Sequence, residues 1–288
     1  MAEPNGSSSS PGDGAEALFA KLPESLRTRC KLARLGLKHQ VPALLCHPDW
    51  SSSRPMLLWM HGRTADKFLD SGRYLRLIRA GIAVVALDLP AHGERLDPPR
   101  QSPDHTPELL TQMVSEIDGV LESLAGEAFV NEGGLELFDL DRAAIGGMSA
   151  GGMVTLRRLC ETHPFRCAAV ESTAGDLGML WDPRTGWPVA HREEVVAALD
   201  PMRRIASFRP LPLLALHSET DQIVPIRCAR SFLDALRDSY VARGFPGDWV
   251  RLHTWPTTGA PAEHNGFGRV AAEAKTLHVE FLVKHLEA

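Results

Sequence analysis

The chain has 288 residues, is 44% hydrophobic and 23% charged, and carries a formal charge of −5. That composition suits a globular protein with a substantial core, and a mild negative charge with no Lys/Arg-rich run removes nucleic acid from the expected partners. The five cysteines (Cys30, Cys46, Cys160, Cys167, Cys228) show no C-x-x-C spacing, so neither a zinc site nor a disulfide framework is expected.

The first residues, MAEPNGSSSSPGDGAEA, lack the basic start and apolar stretch of a secretory signal. Their Ser, Gly and Pro content reads as a disordered tail over residues 1–14, followed by one domain over 15–288. No apolar run is long enough for a bilayer, so a cytoplasmic protein without membrane contact is expected. AEALFAKLPESLRTRC predicts a short helix broken at Pro23, and LGLKHQVPALLCHP a pair of strand segments disturbed by Pro42. A regular alternation then begins. PMLLWMHG and IAVVALDLP read as buried strands flanking the helix KFLDSGRYLRLIRAG, which ends at Gly81. TPELLTQMVSEIDGVLESLAG carries helix-start signals and amphipathic spacing. DRAAIGGMS is the next strand and AGGMVTLRRLCETH the next helix. CAAVEST, PLPLLALHSETD and VRLHTWP are further strands, and PIRCARSFLDALRDSYVARG and RVAAEAKTLHVEFLVKHLEA further helices. Continuously apolar strands alternating with helices predict a mostly parallel central sheet covered on both faces, an α/β fold. Residues 175–208 exceed a plain crossover and are expected to form a small inserted cap.

The stretch AAIGGMSAGGM, residues 143–153, surrounds one serine with glycines between a predicted strand and a predicted helix. A phosphate loop would need Lys-Ser/Thr after its last glycine, and a dinucleotide fingerprint would need G-x-G-x-x-G; neither is spelled here. G-x-S-x-G is, as Gly147-Met148-Ser149-Ala150-Gly151. That motif in that context is a nucleophile elbow, a sharp turn presenting a serine. The competing reading is a glycine turn at a crowded strand–helix junction.

A serine hydroxyl needs a base within hydrogen-bond reach, and the base needs an acid to fix its tautomer. In the chain order Ser, Asp, His, the acid follows a later strand and the base lies near the end. Asp221 in HSETDQIVP and His264 in EHNGFG occupy such loops. Asp221 could instead cap the helix near Pro225; Glu171 and Asp176 are rival acids, and His217 and His253 rival bases. Attack on a carbonyl also calls for N–H donors at the developing oxyanion. Ala150, after the serine, and Arg63, in the loop of LLWMHGRTADK, are the expected backbone donors.

Five segments in order, HGR, DLPAHGER, GMSAGG, HSETDQIVP and EHNGFG, spanning roughly residues 55–268, resemble landmarks of the α/β-hydrolase superfamily, and in particular of its dienelactone-hydrolase-like serine esterases. The resemblance implies Ser149 as nucleophile, His264 as base, Asp221 as acid and backbone donation from Arg63 and Ala150, with no metal or other cofactor. It also implies a structural role for DLPAHGER, so that His92 is not the base. Founding dienelactone hydrolases carry cysteine at the elbow, where this chain has Ser149, which favours a small ester as substrate and partner over dienelactone. Met179, Leu180, Trp181 and Trp187 in the insertion could line an acyl pocket or form the insertion's own core. Arg63, Lys67 and Arg73 could attract an acidic substrate, with solvated surface charge as the favoured alternative. The expected function is a carboxylesterase working through an acyl-enzyme. Thioesterase, acyltransferase or peptidase chemistry on the same scaffold and a non-catalytic binding protein are the alternatives; a peptidase is disfavoured because such enzymes usually carry a large additional domain.

Overall fold

In a computed structural model, which describes residues 11–287, the elements follow in this order. Helices α1 (Pro11–Ala20) and α2 (Glu24–Arg27) precede strands β1 (Cys30–Leu35), β2 (Val41–Cys46) and β3 (Arg54–Met60). Next come α3 (Ser71–Arg79), β4 (Ala83–Leu87), α4 (Thr106–Leu124), β5 (Phe138–Met148), α5 (Ala150–Arg158) and β6 (Cys167–Glu171). The inserted helices α6 (Leu177–Leu180) and α7 (Glu193–Leu199) lead to β7 (Leu213–Ser218), α8 (Ile226–Ala242), β8 (Val250–Trp255) and α9 (Ala271–Leu286). No helix among the described residues is long and apolar enough to cross a membrane.

The strands form one sheet in the order β1-β2-β4-β3-β5-β6-β7-β8. β2 pairs antiparallel with both β1 and β4, and β4, β3 and β5 to β8 pair in parallel. Alternate residues of each central strand enter two separate cores, as a period of two requires. Met56, Leu58, Met60, Val85 and Ile145 pack beneath α4, α5 and α8, while Leu57, Trp59, Val84, Ala86 and Ala144 pack beneath α3 and α9. The parallel order places the loops after β3, β5, β7 and β8 at one edge of the sheet, where ligands of open α/β sheets collect.

Two local expectations change. Helix α1 begins at Pro11, so the last four residues of the expected tail lie in its first turn, and residues 1–10 fall outside the described residues. Pro42 does not interrupt β2: it lies opposite Arg34, and pairing with β4 starts only at Ala43, so no ladder bond to β4 requires its missing N–H. The insertion is tied down by two carboxylates. Asp200 accepts N–H bonds from Leu177 (3.0 Å), Gly178 (3.1 Å) and Met202 (3.1 Å), while Asp176 caps α6 at Met179 N–H (2.8 Å) and accepts the Ser231 hydroxyl (2.7 Å).

Candidate active site

Ser149 joins β5 directly to α5 with φ 51° and ψ −116°, a left-handed conformation that costs a non-glycine residue roughly 1–3 kcal/mol and persists only where its surroundings enforce it. Those surroundings are visible. Its N–H donates to Glu171 O (2.8 Å), and its carbonyl accepts Met153 N–H (3.0 Å) and the Thr173 hydroxyl (2.7 Å). The flanking glycines are needed for space. A Cβ on Gly147 would lie 2.5 to 2.7 Å from backbone atoms of Gly151 and Met60, and one on Gly151 would strike the carbonyls of Met60 and His61. The glycines therefore let β5, α5 and the end of β3 approach within backbone contact, which throws the serine outward.

His264 and Asp221 meet that serine. The Ser149 hydroxyl is 2.9 Å from His264 Nε2, and His264 Nδ1 is 2.8 Å from Asp221 Oδ2. All three side chains are buried. Asp221 Oδ1 accepts the N–H groups of Ile223 (2.9 Å) and Val224 (2.8 Å), which aims Oδ2 at the imidazole. An imidazole that donates Nδ1–H to a carboxylate presents a lone pair at Nε2, the tautomer that accepts a proton from serine.

The other candidates are engaged elsewhere. Glu171 receives both guanidinium nitrogens of Arg73 at 2.5 and 2.6 Å, and Asp176 caps α6. His217 donates Nε2–H to Val224 O (2.9 Å), and its burial, outweighing the nearby Asp221, lowers its pKa. His253 is half-buried on β8 against the Trp255 ring. His92 is buried, with Nδ1 on Pro90 O at 2.7 Å.

The loop after β3 rests on the nucleophile. A Cβ on Gly62 would lie 3.3 Å from Ser149 Cβ, so the following peptide, Arg63, borders the serine. His61 fixes this loop by donating Nδ1–H to Gly62 O (2.7 Å) and accepting Leu89 N–H at Nε2 (3.1 Å); complete burial pushes its pKa down to about 4, so it is neutral. Downstream, Asp88 accepts Lys67 N–H (2.9 Å), Lys67 Nζ (2.7 Å) and Glu94 N–H (3.0 Å), and Lys67 Nζ also reaches Glu94 (2.7 Å). Lys67 and Arg73 are thus interior cations in ion pairs, against the expectation of solvated charge.

Ser149 and His264 open into a cavity of about 660 Å³, which Arg63, Ala150, Leu180 and Trp187 also line. Met179 and Trp181 lie outside that lining, so of the two places open to them they take the packed one and not the pocket. Neighbours on a helix point about 100° apart, so when Leu180 faces the cavity Met179 and Trp181 turn away. Trp181 is buried in the insertion against the His191 ring (4.8 Å), and Met179 packs on the core.

Glu263 escaped the sequence reading. Its carboxylate accepts Thr258 N–H (2.6 Å), the Thr258 hydroxyl (2.8 Å), Gly259 N–H (2.8 Å) and the Ser218 hydroxyl (2.8 Å), stapling the His264 loop to β7. These bonds, led by the one from Thr258 N–H, lower its pKa to about 2. They also hold Ala262 and Glu263 at φ 54° and 53°, the turn that swings His264 toward Ser149. The one available signal was a carboxylate immediately before the candidate base.

The prolyl oligopeptidase family (peptidase S9) matches residues 123–288, a span holding Ser149, Asp221 and His264. Esterase YjfP of Escherichia coli (strain K12) is 26% identical over 199 residues, 64% of this chain and 76% of the esterase. The structure of TT1662 from Thermus thermophilus superposes with a TM-score of 0.67 at 25% identity, covering 90% of this chain and 99% of that one. A puromycin-hydrolyzing peptidase of Mycobacterium tuberculosis shares the fold (TM-score 0.66, 19% identity), with 90% of this chain covering 39% of the peptidase. With its eight-stranded sheet and the family match over more than half its length, the chain belongs to the prolyl oligopeptidase family of hydrolases, within the α/β-hydrolase superfamily.

Proposed function

We propose that the protein is a serine carboxylesterase acting on small esters through an acyl-enzyme. The observation that carries this reading is the hydrogen-bonded series Ser149–His264–Asp221, whose Ser149 and His264 line a ligand-sized cavity. Ser149 Oγ attacks the ester carbonyl while His264 Nε2 takes its proton, and Asp221 steadies the imidazolium through Nδ1–H. The carbonyl oxygen, now negative, is received by the N–H of Ala150, which heads α5 and has no intrahelical acceptor, and by the N–H of Arg63. His264 returns the proton to the departing alcohol, then activates water to release the acid.

A peptidase is the second reading, favoured by the family match. Cleavage next to a free amino terminus calls for an open carboxylate to bind the ammonium. Both carboxylates lining the cavity are engaged, Glu171 by Arg73 and Asp70 by the Trp59 indole N–H (3.1 Å). That supports the ester reading, as does the likeness to an esterase. Thioester hydrolysis would use the same groups.

The test compares p-nitrophenyl esters of increasing acyl length, an acyl thioester and aminoacyl p-nitroanilides, with wild type beside Ser149→Ala. Ester turnover lost in the variant and falling as chains lengthen past the Leu180–Trp187 wall is the expected result. Faster cleavage of the anilides would replace esterase with peptidase, and equal rates in both proteins would remove Ser149 as nucleophile.

A further inference from the structure

The cavity carries an uneven set of charges. Its described lining contains Arg63, Arg73 and Lys275 against Asp70 and Glu171. Arg73 is neutralised by the bidentate contact with Glu171. Lys275 is half-buried, and a Cβ on Gly72 would lie 3.4 Å from its Nζ. Arg63 is different. Its side chain is half-buried, and the polar contact made by its guanidinium is Nη1 to the Thr106 hydroxyl at 3.2 Å. No carboxylate among the described residues forms an ion pair with it, whereas the more deeply buried Arg73 and Arg158 pair with Glu171 and Asp118. A guanidinium has five N–H donors in a planar fork, so most of its capacity faces the cavity unused. Burial works against the Arg63 charge without a compensating anion.

We propose that Arg63 is a specificity-determining residue that receives a substrate carboxylate, making the enzyme selective for esters that carry a free carboxylate in the acyl or alcohol portion. The proposal rests on the serine esterase reading above. A Cβ on Gly62 would lie 3.3 Å from Ser149 Cβ, so Arg63 starts beside the nucleophile and its side chain reaches a group only a few carbons from the reacting carbonyl. A planar fork matches a carboxylate by two parallel hydrogen bonds, and the partial burial shields the pair from water.

Two matched pairs of esters test it: p-nitrophenyl butyrate against mono-p-nitrophenyl succinate, and phenyl acetate against 4-acetoxybenzoate. For each, kcat/KM is divided by the hydroxide-catalysed rate, and the charged-to-neutral ratio is compared among wild type, Arg63→Lys and Arg63→Met. The ratio cancels any shared disturbance of the Arg63 peptide, and thermal unfolding of each variant checks folding. Wild type should favour the charged member of at least one pair, and Arg63→Met should lower that ratio about ten-fold. Arg63→Lys should retain part of it, and added salt should erode it in wild type and Arg63→Lys but not in Arg63→Met. A wild-type ratio at or below one in both pairs, or one that Arg63→Met leaves unchanged, overturns the assignment. If neutral esters are still hydrolysed through Ser149, only the role of Arg63 fails; if Ser149→Ala retains the wild-type rate on butyrate, the underlying esterase reading fails as well.

Discussion

Replacing Gly147 by alanine tests the elbow at its tightest point. The new Cβ would lie 2.5 Å from Gly151 C, 2.6 Å from Gly151 O and 2.7 Å from Met60 O, where ordinary contact begins at 3.4 Å. All three are backbone atoms, so no side chain can swing aside. Relief requires β5 to move from both α5 and the end of β3 by about 0.7–0.9 Å, the shortfall to ordinary contact, a strain that typically costs about 1–3 kcal/mol. Ser149 lies two residues on, and its 2.9 Å bond to His264 would stretch to about 3.6 Å, beyond a hydrogen bond. Misplacement of this size at a reacting group costs about 10²-fold in rate. Gly147→Ala should therefore lower kcat/KM on p-nitrophenyl butyrate about a hundred-fold while circular dichroism and urea unfolding show a folded protein. Gly14→Ala, where nothing lies within 4 Å of the added atom, is the control and should leave activity alone. A Gly147→Ala enzyme within two-fold of wild type would refute the account of the elbow.

Asp221→Asn keeps an oxygen for the Ile223 and Val224 N–H groups but turns an amide NH₂ toward His264, favouring the wrong tautomer; kcat should drop about 10³–10⁴-fold with the fold intact, and a loss below ten-fold would show that the carboxylate does not steer the imidazole. Lys67→Met strands Asp88 and Glu94 beside a buried methionine and should cost about 3–5 kcal/mol in urea unfolding. Adding Asp88→Asn should recover part of that loss, and additive losses would argue against the pair. Burial lowers His61 and His163 to about 4 in the fold, against an ordinary value of 6.5. Between those values the unfolded chain binds the extra protons, so their contribution is complete above pH 6.5 and is lost as pH falls to 4, up to about 3 kcal/mol for His61. A urea midpoint unchanged from pH 7 to pH 4 would contradict neutral burial.

The parallel sheet was legible because its strands are apolar on both faces, a demand that only helices on two sides satisfy. The placement of Ser149, Asp221 and His264 at one sheet edge was legible for a related reason. Parallel strands send their following loops to the same side, so residues 72 and 115 positions from the serine need no further information to meet. The insertion was less readable. Helix α6 has four residues, too few for a periodicity that would separate Leu180 from Met179 and Trp181. Glu263 was hidden because its partners, Ser218, Thr258 and Gly259, become a cradle only once the loop has turned through two left-handed residues.

Charge is where one-dimensional reading fails most, and Arg63, Lys67 and Arg73 show why. They sit within eleven consecutive positions and look interchangeable. Lys67 finds Asp88 21 positions away and Arg73 finds Glu171 98 positions away, distances bridged only by the sheet that brings β3, β4 and β6 together. Removing a cation from water is tolerable when the fold supplies a carboxylate at contact distance. That condition is met for two of the three. The carboxylates so used also hold parts of the site: Asp88 anchors the loop that leads from Gly62, and Glu171 holds the Ser149 N–H through its own carbonyl. Pairing thus removes Lys67 and Arg73 as ligand-binding groups and makes them supports. The same process leaves Arg63 without a carboxylate partner among the described residues, and its place beside Ser149 is what points it to a substrate anion.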